Sequence, residues 1–198
     1  MDDSVIRGMA KWPNVPAAYG WLSLDRRGNW LLKGDLISNP ALIAFIGRNY
    51  THDERGCWFF QNGPQRVFVS LDYAPLVFRL ASDDASPLRD HRGTSVQSVS
   101  GAWMDVDGNL IIQTSLGPGL VDDRDLAAAS ERLVDRSGHP PDEEALMRFL
   151  AGESQISFVV GDAHIPVKVA SRADIPGALG FVQIPAPPRI EVPLISGD

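Results

Sequence analysis

The stretch that decides the fold is Asp25-Arg26-Arg27-Gly28-Asn29-Trp30-Leu31-Leu32, a turn signature followed by a short apolar run. Glycine and asparagine adopt a positive φ at low cost, so Gly28 and Asn29 suit the tight connection of a β-hairpin. The residues that flank the turn, 21–24 and 30–32, are mostly apolar and predict its two strands.

The same signature recurs later in the chain. Asp105-x-x-Gly108-Asn109-Leu110-Ile111-Ile112 repeats it at an offset of 80 residues, and Ala145-Leu146-x-x-Phe149-Leu150 repeats Ala41-Leu42-x-x-Phe45-Ile46 at an offset of 104. A third block, at an offset of 98, matches Trp58, Phe60, Gly63, Val67, Val69 and Leu71 with Ile156, Phe158, Gly161, Ile165, Val167 and Val169. Three blocks in the same order favour internal duplication. The alternative is that hairpins resemble one another because turns reuse Asp, Gly and Asn.

Between the blocks, the sequence predicts short helices and a meander of strands. Ser38-Asn39-Pro40 combines a capping side chain with proline at the first helical position, which predicts a helix over 40–50. The second half carries an additional helical pattern over 124–136. The predicted fold class is therefore α+β: two tandem β-hairpin–helix–β-meander units with antiparallel sheets, the second unit enlarged by a helix.

The predicted organisation has five parts. They are an extended N-terminal arm (1–18), a first α+β unit (19–82), a connector rich in Ser, Asp and Arg (83–98), a second α+β unit (99–184) and a proline-rich C-terminal tail (185–198). Prolines at 13 and 16 are the reason to expect an extended arm.

Composition and charge exclude several functional classes. The net charge is −7, and the acidic excess lies in the second half, which has 7 basic and 15 acidic residues. Nucleic-acid binders need a basic surface, so neither DNA nor RNA is an expected partner. The longest apolar stretch, 41–47, is far shorter than a membrane span, and no signal peptide is visible. We expect a bacterial, cytoplasmic protein.

The densest polar cluster is Thr51-His52-Asp53-Glu54-Arg55, where His52 beside Asp53 suggests a general base with an orienting carboxylate. Loops between a helix and a strand are ordinarily polar, and sequence neighbours seldom point at one another. Cys57, the one cysteine, begins an aromatic run, where a thiol usually packs as a small apolar group. His52, Asp53 and Cys57 are therefore weak catalytic candidates, and no catalytic residue is assigned.

The candidate metal-binding motif does not have the required spacing. Asp105-x-Asp107-Gly108 resembles the start of a calcium loop, but the residue at the twelfth place is Leu116. Asp122, Asp123 and Asp125 are acids of the kind expected in a first helical turn. We predict neither a metal site nor a cofactor.

Four segments carry a family resemblance: Gly20-Trp21, Gly28-Asn29-Trp30, Asn39-Pro40-Ala41-Leu42 and Asp72-Tyr73-Ala74-Pro75. On the basis of these segments, the sequence resembles an uncharacterised proteobacterial family of unknown function, and the resemblance extends over most of the chain. The resemblance implies two related α+β halves and a signalling role, and it supplies no catalytic residues.

These observations favour a non-catalytic module that binds a small ligand or has a regulatory or signalling role. The ligand is expected to be anionic, and the candidate binding residues are Arg48, His52, Arg55, Arg66 and Arg79. Two alternatives stay open: a small hydrolase or transferase that uses His52, Asp53 and Arg66, and a structural subunit with a protein partner. The oligomeric state is not predicted.

Overall fold

The computed structural model describes residues 1–12, 15–80 and 88–188, in which strands outnumber helices and form two mixed β-sheets. The predicted α+β class is confirmed. Part of the predicted connector (83–87) and most of the predicted tail (189–198) lie outside the described residues.

The first sheet has six strands, which are β1 (Ala18–Leu24), β2 (Trp30–Leu32), β3 (Asp35–Leu36), β4 (Tyr50–His52), β5 (Trp58–Asn62) and β6 (Gln65–Leu71). Their spatial order is β3-β2-β1-β6-β5-β4. Two helices accompany it, α1 (Asp3–Lys11) and α2 (Pro40–Arg48). As the sequence predicts, the Asn39 side chain caps α2 by accepting hydrogen bonds from the backbone of Ala41 and Leu42.

The second sheet has eight strands, which are β7 (Leu76–Leu80), β8 (Leu88–Asp90), β9 (Val99–Met104), β10 (Leu110–Thr114), β11 (Gly117–Val121), β12 (Leu133–Val134), β13 (Ser157–Val160) and β14 (Ala163–Val169). Their spatial order is β12-β13-β14-β9-β10-β11-β7-β8. A 3₁₀ turn at Asp123–Asp125 and the helices α3 (Leu126–Ser130), α4 (Glu143–Leu150) and α5 (Ile175–Leu179) complete the described elements.

The prediction of antiparallel sheets is wrong at three strand pairs. β1 runs parallel to β6, β9 runs parallel to β14, and β7 runs parallel to β11. Parallel neighbours need a long crossover, and the intervening hairpins and helices provide one in each case. Sequence patterns of short strands reveal the strands but not their direction relative to distant partners.

The predicted unit boundaries also differ from the sheets. The predicted first unit (19–82) includes β7, yet β7 pairs with β11 in the second sheet. Residues 88–90 of the predicted connector form β8, which pairs with β7. At the N-terminus, residues 3–11 form α1 instead of an extended arm, because the prolines follow this segment and Val5 is buried.

The central strand pairs of the two sheets have corresponding registers. In the first sheet Leu22 faces Val69 across β1 and β6. In the second sheet Ala102 faces Val167 across β9 and β14, at the positions that the sequence blocks match. The helices correspond less well: α2 precedes β4, whereas α4 follows β12. The element order therefore does not support the predicted equivalence of Leu42 with Leu146, because α3, not α4, directly precedes β12.

Five turns share one hydrogen-bonding pattern, namely Asp25–Asn29, Asp53–Cys57, Asp90–Thr94, Asp105–Asn109 and Asp135–His139. In each, the aspartate carboxylate accepts from the backbone N–H groups two and four residues later. A glycine with positive φ stands at the fourth place of every turn, where an L side chain would be strained. This repeated turn, encoded as Asp-x-x-Gly, connects β1 with β2, β4 with β5 and β9 with β10, and it follows β8 and β12.

One apolar core joins the two sheets. Leu24 and Val69 of the first sheet belong to the same buried cluster as Ile111 and Phe158 of the second. Among the described helices, none has the length and apolar character needed to cross a bilayer.

Candidate functional site

The candidate site lies where two of the Asp-x-x-Gly turns meet. Turn 25–29 packs against turn 90–94 so closely that a Cβ on Gly28 would lie 2.4 Å from the Cβ of His91. Gly28 is therefore required both by its φ of +79° and by this contact. Beside the two turns is a cavity of about 460 Å³.

The cavity is lined by both apolar and charged side chains. The apolar ones are Trp30, Ile37, Ile43 and Val77. The charged ones are Arg27, Arg79, Arg89, Arg124, Asp90 and Asp122. Two further carboxylates, Asp123 and Asp125, pair with Arg27 and Arg79.

Three of these arginines are held by the acidic segment 122–125. Arg79 donates to the Asp125 carboxylate at 2.6 and 3.0 Å, and Arg27 donates to Asp123 at 2.9 and 3.3 Å. Arg124 binds Asp122 through its Nε and Nη2 atoms. A guanidinium has five N–H donors, and each of these pairs occupies two.

The arginine side chains stay accessible, whereas the burial of their carboxylate partners differs. The side chains of Arg27, Arg79 and Arg124 are 57%, 44% and 51% exposed, and those of their partners Asp123, Asp125 and Asp122 are 52%, 14% and 0% exposed. Burial raises the pKa of Asp122, but hydrogen bonds from Arg124 outweigh it and lower that pKa to about 2. A hydrogen bond from Arg79 likewise lowers the pKa of Asp125, so both carboxylates are ionised at neutral pH and orient exposed arginine side chains.

His91 belongs to turn 90–94 and contacts both Gly28 of the other turn and the ring of Trp30. Its Nδ1 accepts the backbone N–H of Val77 at 3.3 Å, and its ring packs edge-on against Trp30 with centroids 5.4 Å apart. Burial lowers the pKa of His91 to about 4, so the imidazole is neutral and carries its proton on Nε2. Nε2 is buried and has no hydrogen-bond partner among the described residues.

Sequence reasoning missed His91 and most of this cavity. His91 is not among the candidate residues predicted from the sequence, although Asp90-His91-Arg92-Gly93 has the same Asp-x-x-Gly spacing as turns 25–29 and 105–109. That spacing is the signal by which His91 could have been found. No such signal exists for the contacts of Arg27 and Arg79 with segment 122–125, because these contacts join residues far apart in the chain.

Of the predicted ligand residues, Arg79 lines the cavity and the other four have different surroundings. Arg48 forms an ion pair with Asp2, and Arg66 lies over the ring of Phe59 with its guanidinium carbon 4.8 Å from the centroid. Arg55 pairs with Asp53, which uses its carboxylate for this bond and for its own turn.

His52 and Asp53 do not form a catalytic pair through their side chains. Its Nδ1 lies 3.1 Å from the backbone oxygen of Asp53, not from the carboxylate, and its ring contacts Trp58. The hydrolase alternative gains no support from this arrangement.

Cys57 is buried in a small aromatic cluster with Phe59 and Phe68. Burial, together with the charge of Asp53, raises the pKa of the Cys57 thiol. A raised pKa disfavours the thiolate and so agrees with a packing role.

The acidic candidates for metal binding have other partners. Asp122, Asp123 and Asp125 each pair with an arginine, and Asp105 accepts hydrogen bonds from Tyr73 and Asn109. Across residues 1–12, 15–80 and 88–188, no group of three or more His, Cys, Asp or Glu side chains is placed to hold a metal ion.

Comparisons with known proteins identify a family and a fold. Residues 1–186 match the sequence profile of a family described as "Protein of unknown function (DUF2946)". No curated protein matches the chain significantly. The crystal structure of a DUF1285 family protein from Silicibacter pomeroyi DSS-3 superposes with a TM-score of 0.54 at 14% identity, covering 78% of this chain and 84% of that one. A DUF1285 family protein from Shewanella baltica OS155 has 19% identity and a TM-score of 0.41, over 55% of this chain and 89% of that one.

Proposed function

The chain belongs to the family described as Protein of unknown function (DUF2946), and we propose that it is a non-catalytic module that binds a small anionic ligand. The proposed site is the arginine-lined cavity beside turns 25–29 and 90–94. The activity of such a module depends on whether its ligand is bound, so the proposal includes the regulatory or signalling role that the family resemblance implies.

One observation carries the proposal: three guanidinium groups that line the cavity are oriented by carboxylates, and each has further N–H donors that these pairs do not use. Arg27, Arg79 and Arg124 each use two N–H groups on Asp123, Asp125 and Asp122 respectively. Groups that are already oriented lose less conformational entropy when they bind a ligand. Arginine forks suit carboxylate and phosphate oxygens.

The apolar part of the lining indicates which anions are preferred. Trp30, Ile37, Ile43 and Val77 line the same cavity as the charged groups. A ligand with an apolar body and an anionic end contacts both kinds of side chain, whereas inorganic phosphate contacts only the charged ones. We therefore expect benzoate to bind more tightly than inorganic phosphate.

Isothermal titration calorimetry of the full chain with benzoate and with inorganic phosphate tests the proposal. Arg27→Gln and Arg79→Gln should each weaken benzoate binding at least threefold, and the double variant about tenfold or more. Arg66→Gln is the matched control, because Arg66 stacks on Phe59 away from the cavity. Arg124 is left in place since it neutralises the fully buried Asp122.

Two results would contradict the proposal. One is a wild-type chain that binds neither anion, and the other is an Arg66→Gln variant that loses as much affinity as the cavity variants. Circular dichroism on each variant separates a binding defect from misfolding.

We also infer that the two sheets derive from a duplicated unit. The inference is supported by the corresponding registers of β1–β6 and β9–β14 and by the shared turns 25–29 and 105–109. In this interpretation α4 belongs to an insertion between β12 and β13. Superposition of the halves should place Leu24 on Met104 and Val69 on Val167; placement on unrelated strands would contradict duplication.

A further inference from the structure

A second cavity, separate from the arginine-lined one, lies between α2 and the first sheet. Its volume is about 420 Å³, within the range of roughly 300–1,000 Å³ that small-molecule sites occupy. Apolar side chains dominate its lining, including Trp21, Leu22, Leu32, Leu42, Phe60 and Val67. Ile37 lines both cavities, so the segment from β3 to α2 separates them.

Several of these apolar side chains are exposed. Trp21 is 50% exposed, Leu32 is 47% exposed and Leu42 is 39% exposed, although all three line one concave surface. The deeper wall consists of the buried residues Leu22 and Phe60. A contiguous concave apolar surface that stays open to water is typical of a binding site, since covering it is favourable.

The charge next to this cavity indicates the class of ligand. No acidic residue lines the cavity, and Lys33, which follows the lining residue Leu32, has its Nζ 3.8 Å from the centroid of the Trp21 ring that lines it. Among the described residues Lys33 forms no ion pair with a carboxylate. An ammonium group against a lining residue of an apolar cavity complements a ligand that has an apolar body and one terminal negative charge.

We propose that this second cavity binds a medium-chain fatty acid, with the aliphatic chain against Trp21 and Leu42 and the carboxylate at Lys33. This site is independent of the anion site proposed above, because Lys33 and Trp21 do not line that cavity. Burial of each additional methylene is favourable, so affinity should increase with chain length until the cavity is filled.

The test is calorimetry of the full chain with octanoate, and with 1-octanol as the neutral ligand of the same length. Leu42→Glu places a carboxylate in the cavity and should weaken octanoate binding at least tenfold. Met147→Glu is the matched control, because it makes the same change at an exposed apolar residue of another helix. Lys33→Asn tolerates the positive φ of 52° and should weaken octanoate at least threefold while leaving octanol unchanged.

Octanoate is also an anion with an apolar body, so the titrations are repeated in the Arg27→Gln/Arg79→Gln double variant, which lacks two arginines of the other cavity. Octanoate binding that persists there and is still weakened by Leu42→Glu belongs to the second cavity, which separates this proposal from the one for the arginine-lined cavity. Absence of saturable octanoate binding to the wild type would overturn the proposal. So would equal losses in Leu42→Glu and Met147→Glu, or equal losses of octanol and octanoate in Lys33→Asn. Finally, a dimer that Leu42→Glu dissociates and octanoate does not affect would assign the surface to a second copy of the chain instead.

Discussion

At the scale of single residues, His91 shows how burial sets the charge of a side chain. Its Nδ1 accepts the N–H of Val77, and the rings of Trp30 and Tyr50 pack against the imidazole. Burial lowers its pKa to about 4, against 6.5 in an unfolded chain. Between these two values the unfolded chain binds a proton that the folded protein excludes.

We therefore expect His91 to make stability depend on pH in a defined window. Its contribution is constant above pH 6.5 and is lost as the pH falls towards 4, by up to about 3 kcal/mol. His91→Asn retains an acceptor for Val77 and should reduce the fall in the free energy of unfolding over this window. Urea denaturation at several pH values measures it.

Aspartates also lose stability contributions in acid, but the wild type and His91→Asn carry the same aspartates, so the difference between them isolates His91. His52→Asn is the control, because it removes an exposed imidazole. Parallel pH profiles for the wild type and His91→Asn would show that burial of His91 has no effect on its titration.

At the scale of elements, the Asp-x-x-Gly turn is the recurring unit. Its aspartate satisfies two backbone N–H groups, and its glycine adopts a positive φ. What varies is the surroundings of the glycine. A Cβ on Gly28 would lie 2.4 Å from His91, whereas a Cβ on Gly138 would have no atom within 4 Å.

This difference predicts unequal costs for the same substitution. Gly138→Ala should cost about 1–2 kcal/mol of unfolding free energy, which is the strain of a positive φ. Gly28→Ala adds the clash with His91 and should cost roughly 1–3 kcal/mol more. Urea denaturation of the two variants in parallel gives both values; equal costs would mean that the turns do not pack as closely as described.

At the scale of the whole molecule, polar contacts as well as the core connect the two sheets. Tyr73 donates from its hydroxyl to the fully buried Asp105 carboxylate at 2.7 Å, and Arg26 of one turn binds Asn109 of another. The guanidinium groups of Arg26 and Arg172 lie over the Tyr73 ring. The sheets should therefore unfold together.

We expect a single cooperative transition in urea, with tryptophan fluorescence and far-ultraviolet circular dichroism giving the same midpoint. Tyr73→Phe removes one hydrogen bond from a buried carboxylate and should lower stability by about 1–3 kcal/mol. Both probes should shift by the same amount. Two separated transitions in the wild type would show instead that the sheets are independent units.

Features that depend on neighbouring residues were predictable. The hairpin around Gly28, the cap of α2 at Asn39 and the packing of Cys57 follow from patterns within a few residues, and the structure contains all three. The helix at Asp3–Lys11 was not predicted, because prolines 13 and 16 favour an extended segment but act only on the residues after the helix. Of the candidate site, only Arg79 was identified in advance.

The amino-acid sequence alone determined the α+β class, the hairpins and the turn chemistry, because Asp-x-x-Gly closes its hydrogen bonds within five residues. Only the tertiary structure decided the parallel pairs, the place of β7 in the second sheet and both cavities. These features bring together residues such as Arg27 and Asp123, which are 96 positions apart. Their proximity depends on the path of the whole chain and its shared core, for which no local pattern exists.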